Sequence, residues 1–137
     1  MPAEFRVLVV EGNDRASTER MRQFGCTSYA QAYAALLQKL EPRVACSIAH
    51  PSEDGAGGIN LNGFAGVAWT GSAMSAYEHR PEVRNQIELA RNVFDSGLPV
   101  FGSCWGLQIV TQALGGKVRV NPKGREIGIA KGIELNP

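Results

Sequence analysis

Apolar positions in this chain gather in short unbroken runs, separated by segments whose apolar residues recur at helical spacing. Phe5 to Val10 carries Val7, Leu8, Val9 and Val10 without alternation, which predicts a fully buried strand. Val44 to Ala49 and Gly66 to Trp69 repeat the pattern, and Leu98, Val100 and Phe101 predict a fourth strand. Residues 14–28 are polar, with Arg15, Glu19, Arg20 and Arg22, and predict irregular chain. Thr27 or Ser28 can then cap a helix whose Ala30, Tyr33, Ala34, Leu37 and Leu40 share one face, with Pro42 ending it. The segment His50 to Gly58, rich in glycine at its end, reads as a loop. Pro81 suits the first turn of a second helix, with Val83, Ile87, Ala90 and Phe94 as its buried stripe and Gly97 just past its end. A third helix follows the fourth strand, buries Ile109, Val110 and Ala113, and stops at Gly115-Gly116. Val118–Val120, Ile127–Ala130 and Gly132–Leu135 read as further short strands.

Strands that alternate with helices and are apolar throughout imply an α/β fold, a parallel sheet with helices on both faces. Ligands in such folds bind beyond the carboxyl ends of the strands, where the strand order switches. Glu11, His50, Gly71 and Cys104 all fall at such ends. At 137 residues the chain fits one domain, residues 1–137, large enough to bury a core.

Composition narrows the functional classes. A formal net charge of +1, with Lys and Arg scattered, gives no electrostatic footprint for nucleic acid. No run approaches the ~18 apolar residues of a membrane span, and Met1 to Arg6 lacks the layout of a signal peptide. The three cysteines, Cys26, Cys46 and Cys104, form neither a disulfide framework nor a zinc motif. A cytoplasmic protein without metal or cofactor is expected. No P-loop or dinucleotide fingerprint is present.

One segment carries chemistry. In Gly102-Ser103-Cys104-Trp105-Gly106 an apolar strand meets a cysteine between glycines, and a helical pattern starts at once behind it. This is the layout of a nucleophile elbow, in which glycines let strand and helix pass close to the corner residue. The first N–H groups of the helix would face Cys104, and its positive end favours a thiolate. Cys26 and Cys46, without such surroundings, are expected to pack as small hydrophobes.

Read as G-x-C-x-G-x-Q, Gly102 to Gln108 resembles the active-site segment of class I (triad-type) glutamine amidotransferases. Ala113 to Val118 and Arg125-Glu126-Ile127-Gly128 continue the likeness in the manner of the GMP-synthase-like branch. Val67 to Ser72 is similar to the family's strand-then-glycine loop, although its usual Gly-Gly-Pro here reads Gly71-Ser72-Ala73. The resemblance implies a flavodoxin-like sheet whose C-terminal part lies outside this sequence. It implies glutamine as substrate, hydrolysed through a cysteine γ-glutamyl thioester, with ammonia passed to a synthase domain or subunit. Cys104 would be the nucleophile, and the backbone N–H groups of Trp105 and Gly71 the oxyanion hole. Gln108 and Ser72 would line the glutamine pocket. Beside these roles stand plainer ones: Gly71 as a strand-end turn, the Trp105 side chain as a core cap, Gln108 as a solvent-facing helix residue.

The family's His-x-Glu pair is missing from residues 1–137, where His50 and His79 both precede Cys104. Two readings follow. In one, the chain is the nucleophile-bearing part of an amidotransferase domain whose base lies beyond Pro137. In the other, it is an incomplete module that binds glutamine or a partner without hydrolysis. A related elbow-cysteine hydrolase or redox protein fits Gln108 and Arg125 to Gly128 poorly.

Overall fold

A computed structural model of the protein describes residues 5–129 and 131–137. Four strands, β1 (Phe5–Val10), β2 (Val44–Ala49), β3 (Gly66–Trp69) and β4 (Val100–Gly102), form one parallel sheet in the order β2-β1-β3-β4. This is the flavodoxin-like order, with the switch between β1 and β3. The helices are α1 (Arg15–Gln23), α2 (Tyr29–Leu40), α3 (Pro51–Asp54), α4 (Pro81–Asp95) and α5 (Trp105–Ala113).

Helix boundaries follow local chemistry. Ser28 caps α2 in a reciprocal box with Gln31, so the cap is Ser28 rather than Thr27. Pro81 opens α4, and Gly97 follows it at φ 74°, as the spacing predicts. Helix α5 closes in a Schellman motif: Gly115 takes φ 85°, and the Gly116 N–H reaches Thr111 O at 2.8 Å.

Leu8, Val10, Val67 and Trp69 point to one face of the sheet and share a core with Val83, Leu89, Ala90 and Val93 of α4 and Trp105 and Ile109 of α5. The other face carries Val7, Val9, Ala68 and Phe101 and receives α2, whose Ala30 is fully buried.

Several expectations are corrected. Residues 14–28 contain α1, which has no apolar stripe because only Thr18 on it is buried; Asp14 caps it, accepting from Ser17 N at 2.8 Å. Within 50–58, Pro51 starts the short α3. On α2, Leu40, the last residue of the helix, is 73% exposed. The stripe of α4 passes through Val83, Gln86, Ala90 and Val93, leaving Phe94 57% exposed. Residues 118–120, 127–129 and 132–135 form no strand, and Ala130 lies outside the described residues. Val118 packs on the core, but Ile127, Ile129, Ile133 and Leu135 are 80–95% exposed. Apolar sequence makes a strand only where another backbone offers a ladder, and among the described residues none pairs with them.

Candidate active site

Cys104 sits at the corner between β4 and α5 with φ 53° and ψ −104°, the one non-glycine among the described residues at positive φ. Such a conformation persists only where the surroundings enforce it. Here they do so through two glycines. A Cβ on Gly102 would lie 2.7 Å from the Gly106 carbonyl carbon, and one on Gly106 would lie 2.7 Å from Trp69 Cβ and 2.9 Å from Trp69 O. Strand and helix therefore cross at a separation only glycine allows, and the thiol is exposed.

Beside the corner run the ends of β3 and β1. Trp69 pairs with Gly102, and Ser103 N–H points to Trp69 O at 3.5 Å, so the Thr70 to Ala73 loop leaves the sheet next to Cys104. Buried Thr70 locks that loop to β1: its N–H donates to Val10 O at 3.1 Å, and its Oγ1 accepts from Gly12 N at 2.9 Å and donates to Gly71 O at 3.0 Å. Asn13 Oδ1 accepts from Ala73 N at 2.8 Å. A Cβ on Gly12 would collide with Gly71 O and approach Trp105 Cδ1 to 2.8 Å.

Trp105 has a buried side chain, and its backbone opens α5 directly behind Cys104. Gly71 has room for a side chain: a Cβ there would meet only Tyr29 Cε2, at 3.9 Å. Ser72 is half-buried, and its Oγ accepts from Met74 N at 3.1 Å. Gln108 is half-buried on the first turn and a half of α5, with its N–H on Cys104 O at 3.2 Å.

Other strand-end residues do different work. The buried Glu11 carboxylate accepts from Asn13 N and from Ala30 N in the first turn of α2, at 3.1 and 2.9 Å, so it holds backbone. His50 follows β2, three strand spacings and about 14 Å across the sheet from β4. His79 is exposed on the loop before α4. Cys46 is half-buried beside Ala34 O, and burial pushes its thiol up. Cys26, expected to pack inside, is exposed because the chain between α1 and α2 turns on the surface at Gly25. No group of three His, Cys, Asp or Glu that could hold a metal occurs among the described residues, and no described helix is long and apolar enough to cross a membrane.

Four residues that shape the site escaped sequence reasoning: Gly12, Asn13, Thr70 and Gln86. Only Gln86 left a usable signal, a polar residue at the i+3 position of an apolar stripe.

A family model described as glutamine amidotransferase class-I matches residues 26–136. A γ-glutamyl-L-1-hydroxyisopropylamide hydrolase from a Pseudomonas species is 35% identical over 96% of this chain and 46% of its own length. The glutamine-hydrolysing GMP synthase of Bordetella avium is 41% identical over 50% of this chain and 12% of its own. Among solved structures, a glutamine amidotransferase from Thermotoga maritima superposes with a TM-score of 0.58 at 19% identity, covering 90% of this chain and 49% of that one. The chain thus spans just under half the length of the Pseudomonas relative and of the Thermotoga structure. With the fold, the strained corner and the glycine crossing in agreement, this chain belongs to the class I glutamine amidotransferases.

Proposed function

We propose that this chain carries the nucleophile and oxyanion hole of a γ-glutamyl amide hydrolase. Cys104 Sγ attacks the side-chain amide carbon of glutamine, the carbonyl oxygen becomes an oxyanion, and the C–N bond then breaks to release ammonia. Water cleaves the resulting γ-glutamyl thioester to glutamate and restores the thiol. The observation that carries this reading is the positive-φ cysteine at the glycine crossing, which turns an exposed thiol outward at the start of a helix. The backbone N–H of Trp105 and that of Gly71 supply the two oxyanion donors, each worth about 10²–10³ in rate. Glycine at 71 is required by neither space nor φ, which fits a backbone that a substrate must approach closely. Gln108 and Ser72 line the glutamine side of the pocket. The general base is a histidine oriented by a glutamate, a pair outside residues 1–137, and the ammonia goes to a synthase domain or subunit.

Hydrolysis of an N-alkyl γ-glutamyl amide is the second reading. The relative matched along nearly the whole chain is named for such a substrate. A cavity of about 250 Å³ beside the Gly71 loop, lined by Met21, Phe24, Tyr29 and Ala73 together with Asn13, Ser17, Arg20 and Cys26, offers a partly apolar place for the amine substituent.

The test uses the complete polypeptide encoded by the gene and a diazo-ketone glutamine analogue. Labelling confined to Cys104 and blocked by glutamine is expected, and turnover should fall more than about 10³-fold in Cys104→Ala. Competition by a γ-glutamyl alkylamide that exceeds that of glutamine selects the second reading. Labelling at another residue, or none, defeats both. The 137-residue chain alone should release negligible ammonia, for want of the base; release that His79→Ala abolishes would contradict this.

A further inference from the structure

Gln86 lies on the buried stripe of α4 with no exposed surface, and its carboxamide is saturated. Its Oε1 accepts from the indole Nε1 of both Trp69 (2.9 Å) and Trp105 (2.7 Å), while Nε2 donates to Gly12 O and to Ser52 Oγ, both at 2.8 Å. An indole N–H can only donate, so two of them on one atom fix that atom as oxygen and settle the orientation of the amide. The partners are not scattered. Trp69 stands two residues before Gly71, Trp105 directly follows Cys104, and Gly12 packs between Gly71 O and the Trp105 ring.

We infer that Gln86 is a positioning residue for the reaction, one carboxamide that holds the two arms of the oxyanion hole at a fixed separation. The inference rests on the reading of Cys104, Trp105 and Gly71 given above. The end of β3 and the start of α5 are joined by few direct ties, since their strands pair only through Val67–Trp69 and Val100–Gly102. The shared oxygen of Gln86 adds a rigid tie from the opposite side, and its nitrogen ties both to the end of β1. A leucine or methionine would fill the same space, so packing alone does not call for an amide. A methionine would leave two buried indole N–H groups without an acceptor and free the two arms to shift independently. Oxyanion donors lose their effect when they stray from the oxygen's position, whereas substrate binding in the ground state depends on them little.

The experiment compares Gln86→Met, Trp105→Phe and a structural control, Leu89→Ala, in the complete polypeptide. Gln86→Met and Trp105→Phe are expected to lower kcat about 10- to 100-fold, with KM within about threefold. Alkylation of Cys104 by iodoacetamide, a displacement that forms no oxyanion, should stay within about twofold of wild type. Leu89→Ala should lower Tm yet leave kcat, measured well below that Tm, within about threefold. If Gln86→Met does not fold, Trp105→Phe still decides, because it retains an aromatic ring and deletes one hydrogen bond. Folded variants with wild-type kcat overturn the inference and leave the proposed function standing. A loss of kcat matched by an equal loss of iodoacetamide reactivity also overturns it, since the thiol and not the oxyanion arms would then be disturbed. A wild type that neither turns over nor labels at Cys104 overturns the proposed function and this inference together.

Discussion

The two faces of the sheet are finished to different degrees. On one, Leu8, Val10, Val67 and Trp69 are at most 3% exposed beneath α4 and α5. On the other, α2 covers β1, but over β3 and β4 a groove of about 290 Å³ runs between Leu37 and Phe101 with Val7 and Ala68 along it, and Phe101 is 63% exposed. The side-chain contacts that brace the elbow lie on the closed face: Trp69 and Trp105 meet at Gln86, and Gly106 lies against Trp69. The corner geometry of Cys104 is therefore set by the residues between β1 and α5, whatever covers the open face. Structural rigidity and surface completeness are separable in this domain.

The sharpest way to break that comparison is to damage the closed face. Leu89, fully buried in α4, should cost about 2–5 kcal/mol when changed to alanine, as read by denaturant unfolding. Gly106→Ala should cost about 1–3 kcal/mol, because the new methyl meets backbone and Cβ atoms of Trp69 that cannot swing aside. The glycine substitution should also slow labelling of Cys104, while Leu89→Ala should not. Equal losses of labelling in both would show that the elbow responds to general loosening and has no special dependence on its crossing.

Much of this was legible in the sequence, for an identifiable reason. Val7–Val10 and Gly66–Trp69 are short apolar runs because β1 and β3 lie in the middle of the sheet with most of their residues buried, and that pattern survives in one dimension. The elbow was legible too, since a corner that excludes Cβ atoms must write glycine at Gly102 and Gly106. Helix α1 was not, because its single buried residue, Thr18, leaves no period to detect. Gln86 showed its polarity on an apolar stripe but not its partners, which come from β3, α3, α5 and the loop after β1, and no local pattern announces such long-range hydrogen bonds. Residues 127–129 and 132–135 failed in the opposite sense. Their apolar content says strand, but strand formation needs a neighbour that local sequence does not specify.

Between the faces, at the rim where strands end, Arg80 joins the start of α4 to the start of α1. Its Nη2 donates to Asp14 Oδ2 at 2.6 Å, and Glu78 and Glu82 flank it. Burial acts to raise the Asp14 carboxyl, but hydrogen bonds from Ser17 and the Arg80 guanidinium outweigh it and hold the group below the usual carboxylate range. A carboxyl depressed on folding contributes stability that is present above its unfolded value, about 3.9, and is lost as pH falls through its lower folded value. Arg80→Met should thus cost about 1 kcal/mol at pH 7 and progressively less below pH ~4, measured as the difference between the two unfolding free energies. A difference that grows on acidification would contradict the pairing.

The smallest effect is expected on the open face. A buried phenylalanine cut to alanine costs about 3–5 kcal/mol, most of it from lost burial and the cavity left behind. Phe101 has most of its ring in solvent and no helix above it among the described residues, so little of that cost applies. In this 137-residue chain Phe101→Ala should change unfolding free energy by less than about 1 kcal/mol. The rate of iodoacetamide alkylation at Cys104 should also hold, although Phe101 is only three residues away, because the corner is braced from the other side by Trp69 and Gln86. A loss comparable with that of Leu89→Ala would mean the groove is already closed in solution, and the contrast between the faces would fall. A small effect here beside a large one in the complete polypeptide would instead locate the cover in further chain, with the elbow formed before that cover arrives.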